Sequence, residues 1–158
     1  MRSIEFALES NWVVDADIGV VWSALRAVDE WPAWWPYVES VRELRQGDDD
    51  GIGAVHRITW TSRLPYSIAF DVKVVEVAKP CRMVGEARGD LDGRGIWTLE
   101  ADARQTRVRY EWRVEVAKPW MIALAPLLRP LFAWNHNQVM AAGETGLRRH
   151  LNGESARP

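Results

Sequence analysis

The chain is poor in the residues that most often announce a chemistry. Its single cysteine, Cys81, excludes an internal disulfide framework and a paired-cysteine metal site, and it suits a reducing compartment, so a cytoplasmic protein is expected. Three histidines, His56, His136 and His150, fall on different predicted elements with no HExxH spacing, and no metal is expected. Charge of neither sign dominates. Lys plus Arg is 20 against 22 Asp plus Glu, a net charge of -2, which offers no footprint for nucleic acid. Long apolar runs are missing too: the window Trp120 to Trp134 is broken by Pro126, Arg129 and Pro130, short of the ~20 residues of a spanning helix. Glu5 and Glu9 stand where an export signal would be apolar, so no such signal is expected. No serine sits in a GxSxG elbow, which argues against covalent hydrolysis. Gly51-Ile52-Gly53 and Gly93-Arg94-Gly95 fall at predicted hairpin turns, outside the strand-to-helix context of a phosphate cradle, and no cofactor is expected.

What the chain has in excess is tryptophan, ten of 158 residues. Large rings with one N–H donor each suit either a bulky core or an aromatic-lined pocket. The organising stretch is the last quarter. From Leu131 to Leu151 there is no proline, and Phe132, Met140, Gly143, Leu147 and Leu151 recur at helical intervals. These 21 positions make a helix of roughly 32 Å, about the diameter of a small domain. Upstream, Val38 to Val116 shows the two-residue alternation of strands, so a curved antiparallel sheet wrapped around the helix is its natural partner.

Residues 4 to 14 read as a first strand, and Asp15 as the cap of a helix carrying Ile18, Val21, Trp22 and Leu25. A second, shorter helical turn opens at Asp29 and is ended by the Trp31–Pro36 run. Six strands in a meander follow. Their expected features are a turn at Leu64-Pro65-Tyr66, a bulge near Val75, a short sixth strand with Trp97, Leu99 and Ala101 inward, and a seventh with Val108, Tyr110, Trp112, Val114 and Val116 inward. A helical turn near Trp120 to Ala125 and a main helix from about Leu127, with Pro130 in its first turn, complete the order. This is an α+β chain with one domain over residues 1–151 and a frayed tail at 152–158.

The residues that mark its corners are Trp12-Val13-Val14-Asp15 with Val21-Trp22, Trp34-Trp35-Pro36, Gly89-Asp90-Leu91-Asp92-Gly93, Asn135-His136, Val139-Met140 and Gly146-Leu147-Arg148-Arg149. With the element order, they resemble the START-like superfamily, and most of all its bacterial polyketide cyclase/dehydrase and lipid-transport branch. The resemblance implies a helix-grip fold whose sheet and C-terminal helix enclose an apolar cavity, and a hydrophobic small molecule as partner: a lipid, an isoprenoid or an aromatic polyketide. It carries no catalytic signature.

Within that frame, Trp60, Phe70, Trp97, Tyr110, Trp112, Trp134, His136 and Met140 are the expected cavity residues; Arg63, Arg82 and Arg88 are candidate anchors for a ligand carboxylate or phenolate at the mouth, Arg88 first among them, with a solvated strand position as their structural alternative. His56 and His136 are the candidate proton shuttles, because a neutral imidazole facing an apolar hollow moves protons near pH 7. Their structural alternative is pairing with a buried backbone carbonyl. The Trp31–Trp35 and Trp120–Trp134 segments are expected near the entrance as lids or as surfaces for transient membrane contact. Three functions stay open: a carrier or binder of a hydrophobic molecule, a cyclase or aromatase, and an interaction module whose tryptophans fill the hollow.

Overall fold

A computed structural model describes residues 4–64, 67–116 and 119–153. The elements run β1 (Ile4–Val14), α1 (Ile18–Arg26), a 3-10 turn (Val28–Glu30), α2 (Trp31–Trp34), β2 (Val38–Arg45), β3 (Val55–Trp60), β4 (Ile68–Ala78), β5 (Arg82–Gly89), β6 (Asp92–Asp102), β7 (Gln105–Val116), α3 (Pro119–Ala123) and α4 (Ala125–Leu151). All strand pairs are antiparallel, in the order β1-β7-β6-β5-β4-β3-β2. The chain therefore travels between the two edges of the sheet after β1, and α1 and α2 make that passage. The bulge falls where the adjacent apolar pair Val74-Val75 demands it, between Val74 and Glu76 against β5.

Several local expectations give way. Asp17, not Asp15, precedes α1, and it caps without a side-chain bond; Asp15 instead accepts a hydrogen bond from Gln105 Nε2 on β7. Trp31 to Trp34 forms α2 rather than ending a turn, because Pro32 occupies the helix start, where its missing N–H costs nothing. Trp35, before Pro36, is extended. Strand β6 is long, 11 residues, since it pairs with β7 along its whole length; Gly93 and Gly95 lie within it, and Ala101 near the hairpin end is exposed. The main helix starts at Ala125 with Pro126 in its first turn, so Pro130 lies inside it. Pro65 and Tyr66, the centre of the expected turn after β3, lie outside the described residues.

The tryptophan excess is mostly core. Trp12, Trp22, Trp31, Trp34, Trp35 and Trp97 are buried with Val14, Val21, Leu25 and Leu147. Rings of Trp12, Trp31, Trp35, Trp60 and Trp97 touch one another edge-on or tilted, with centroids 5.0 to 6.4 Å apart. Glycine permits the closest approach in this core. A Cβ on Gly143 would lie 2.5 Å from the Trp35 indole, and one on Gly146 would lie 1.8 Å from the Trp34 carbonyl oxygen. The tight crossing lets Trp35 Nε1 donate to the Val139 carbonyl at 2.8 Å. Farther along α4, Arg148 donates twice to the Val13 carbonyl, at 3.0 and 2.8 Å, and Glu144 accepts from the Val13 N–H at 3.0 Å. These bonds satisfy the outward N–H and carbonyl of Val13 on the free edge of β1 and tie the helix to that strand. A second cluster of Phe6, Ala87, Trp112, Val114 and Ala125 closes the opposite end.

Candidate functional site

Between the two clusters α4 does not meet the sheet completely. The inward faces of β1, β3, β4 and β7 contribute Phe6, Leu8, Trp60, Ile68, Phe70, Tyr110, Trp112 and Val114, and α4 contributes Phe132, Asn135, His136, Val139 and Met140. Leu91, Thr61 and Ser62 complete the wall around a cavity of about 150 Å³. Strand alternation puts every second residue of β7 into this space, and the four-residue spacing of Phe132, His136 and Met140 does the same for the helix. Ring planes of Trp60, Phe70, Trp112, Tyr110 and His136 follow one another at 15° to 25°, with centroids 5.6 to 6.4 Å apart.

The polar content of this wall is small and only partly spent: Thr61 Oγ1 donates to the Tyr37 carbonyl and Ser62 Oγ accepts from the Leu64 N–H. Trp60 Nε1, Asn135 Oδ1 and both ring nitrogens of His136 are buried without a hydrogen-bond partner. Burial pushes His136 down to about 4, so its imidazole is neutral at pH 7, and burial raises the Tyr110 phenol above its ordinary value. No Lys, Arg, Asp or Glu is among the described residues that line the cavity.

A second void of about 90 Å³ lies against the same aromatic wall, sharing Trp60, Phe70, Tyr110, Trp112 and Met140 with the first. His56 and Trp97 line this one together with Arg26, Trp31, Trp35 and Ile58. Burial lowers the Arg26 guanidinium, which donates to the Asp50 carbonyl at 2.9 Å. The two candidate histidines thus reach the hollow on different voids. His56 Nε2 lies 3.8 Å from Asp29 Oδ1. With Glu43 across the β2–β3 pair, these two bring three potential metal-ligand atoms within 4.8 Å of one another, although both carboxylates are exposed.

Of the expected cavity residues, Trp60, Phe70, Tyr110, Trp112, His136 and Met140 line the larger cavity and Trp97 the smaller. Two do not. Trp134 is 44 % exposed and lines neither void, because a position two residues from Phe132 and His136 lies about 200° around the helix from both. Arg88 is exposed beside Asp71, since its neighbour Ala87 takes the inward position on β5. The Trp31–Trp35 segment is not an exposed lid either: Trp31, Trp34 and Trp35 are all buried. Sequence reasoning missed Asn135 and the β1 pair Phe6 and Leu8 as wall residues. The alternation of Ile4, Phe6 and Leu8 was the available signal for the pair. Asn135 stood out only as a corner residue beside His136; its three-residue step from Phe132 and four-residue step to Val139 were the available signal.

A family model described as "Polyketide cyclase / dehydrase and lipid transport" matches residues 6–152. The chain belongs to this family. Among solved structures, a START superfamily protein from Mycobacterium smegmatis superposes with a TM-score of 0.75 at 17% identity, covering 92% of this chain and 98% of the other. The Zhui aromatase/cyclase from Streptomyces sp. R1128 gives 0.75 at 16%, over 98% and 95%. A norcoclaurine synthase from Thalictrum gives 0.62 at 12%, over 95% and 99%. At these identities the likeness is one of fold, a START-type helix grip. No curated protein matches by sequence. The family supports hydrophobic ligand binding or a cyclase-type role. Among the described residues, no helix is long and apolar enough to cross a membrane.

Proposed function

We propose that this protein, as one START-like unit over residues 1–151, binds a hydrophobic small molecule in the cavity between β7 and α4. The observation that carries the reading is the wall itself: an aromatic hollow with unpartnered buried polar atoms on Trp60, Asn135 and His136. Buried polar groups in native proteins nearly always find partners, and a ligand supplies them here. The direct test is calorimetric titration of the purified protein with fatty acids, isoprenoid quinones and aromatic polyketides. Saturable binding by any of them supports the reading, and its absence across all three classes contradicts it.

The cyclase or aromatase reading is second. It needs a group that exchanges protons near pH 7, and the depressed His136 is a weak base there. A binder keeps its affinity when His136 becomes Gln. A cyclase acting on a poly-β-keto chain keeps affinity and loses turnover.

A surface feature extends the binding reading. Trp120, Leu124, Leu127, Leu131 and Trp134 are exposed, Leu127 by 74 %, and recur at alternating four- and three-residue steps along α3 and α4. No acidic residue occurs between Glu115 and Glu144, while Lys118 and Arg129 fall within that stretch. An apolar stripe in a sequence stretch whose Lys and Arg have no acidic counterpart fits a lipid surface of zwitterionic and anionic headgroups. It lies on the helix whose inner face lines the cavity, so transient docking there would place the ligand site near its source.

A further inference from the structure

We propose that the cavity beside His136 selects an uncharged ligand bearing both a hydrogen-bond acceptor and a donor, of the phenol or hydroxyketone class, and rejects carboxylates and amines of the same skeleton. This rests on the binding function proposed above and narrows it.

The wall's own polar atoms decide what a ligand can pair with. Its unspent atoms are one obligate donor, the Trp60 N–H, and one obligate acceptor, Asn135 Oδ1, together with His136. A neutral imidazole offers one further donor and one further acceptor. A ligand with only an acceptor leaves Asn135 unpaired, and one with only a donor leaves Trp60 unpaired. A hydroxyl, or a hydroxyl with a nearby carbonyl, answers both kinds.

Charge is decided by what the wall lacks. A buried carboxylate needs a cation or several aligned donors, and a buried ammonium needs an anion. The sixteen lining residues include no Lys, Arg, Asp or Glu. Arg88, the arginine expected at the mouth, is exposed on β5, and Arg26 lines the smaller void, already donating to the Asp50 carbonyl. Arg63 and Arg149 line an outer groove between α2 and α4, not the cavity. The Tyr110 phenol, kept protonated by burial, adds no charge.

The test uses one skeleton with four substituents: 2-naphthol, 2-methylnaphthalene, 2-naphthoate and 2-naphthylmethylamine, each titrated calorimetrically into the whole protein at pH 7.5. The expected order is naphthol tightest, with the hydrocarbon and both ions weaker by about tenfold or more, the scale on which polar mismatches in a binding site discriminate. In His136→Leu the naphthol advantage shrinks while affinity for methylnaphthalene is kept. Naphthoate or the amine binding as tightly as naphthol would overturn the proposal while leaving hydrophobic binding intact. Methylnaphthalene equal to naphthol would overturn it too, because the polar atoms would then be satisfied without the ligand. If none of the four binds, the proposal fails, and the titrations with fatty acids, isoprenoid quinones and aromatic polyketides decide the binding reading separately.

Discussion

Gly146 sets the distance between α2 and α4, and replacing it by alanine puts two opposed effects into one experiment. In a helix interior alanine is favoured over glycine by about 1 kcal/mol. Against this, the new Cβ would lie 1.8 Å from the Trp34 carbonyl oxygen, a backbone atom that no rotamer change can move aside. Overpacking of this kind typically costs about 1–3 kcal/mol, and the upper end applies because α2 itself must back away. That retreat loosens Trp34 and Trp35 and lengthens the Trp35 Nε1 bond to Val139. The net expectation is a loss of about 2 kcal/mol, a drop in Tm of roughly 4–8 °C for a chain of this size. Gly19→Ala is the control: it lies in α1, and a Cβ there would meet nothing within 4 Å, so propensity acts alone and stability rises. Urea unfolding of both variants beside the parent reads the two signs. A Gly146→Ala protein as stable as the parent would refute the claim that this glycine is held by close packing.

Three further outcomes concern other positions. His136 carries a folded pKa of about 4 against 6.5 in the unfolded chain, so the unfolded state binds the extra proton between these values. Stability is then independent of His136 above pH 6.5 and falls by about 3 kcal/mol as pH drops to 4; His136→Leu flattens that part of a urea-against-pH profile, and equal slopes would contradict the assignment. Thr106 is fully buried and donates from Oγ1 to the Ala16 carbonyl at 2.7 Å, so Thr106→Val leaves that oxygen unpaired and lowers unfolding free energy by about 1–2 kcal/mol in the same assay. Leu127→Glu with Leu131→Glu places two charges on the exposed stripe, and cosedimentation with phosphatidylcholine/phosphatidylserine vesicles is expected to fall to background with no loss of Tm. Undiminished sedimentation would remove the membrane reading.

The architecture was legible because its signals are periodic. Alternation along β7 is unbroken from Val108 to Val114, and the bulge at Val74-Val75 is written as two adjacent apolar residues. The family match and the structural neighbours agree with the helix grip that the corner residues suggest. The site was half legible. On β7 the rule of two is enough, since Tyr110 and Trp112 occupy successive inward positions and both reach the cavity. On α4 it is harder, because an inward stripe covers only about 100° of a helix and aromatic character is no guide to phase, so Trp134 falls outside it. The Trp31–Trp35 corner resists reading for a related reason. A tryptophan-rich segment looks like a surface anchor until a small-residue groove, here Gly143 and Gly146, is known to receive it.

The central claim is that the space between β7 and α4 holds a hydrophobic molecule. Native mass spectrometry on protein purified without detergent, compared with the denatured mass of the same sample, tests it most directly. Ile68→Trp, which enlarges a wall residue into the cavity, serves as the companion variant. The account predicts a discrete non-covalent adduct on the parent, absent from folded Ile68→Trp. A bare parent mass, unchanged after incubation with fatty acids, isoprenoid quinones and aromatic polyketides, would contradict it and leave a tryptophan-packed interaction module in its place.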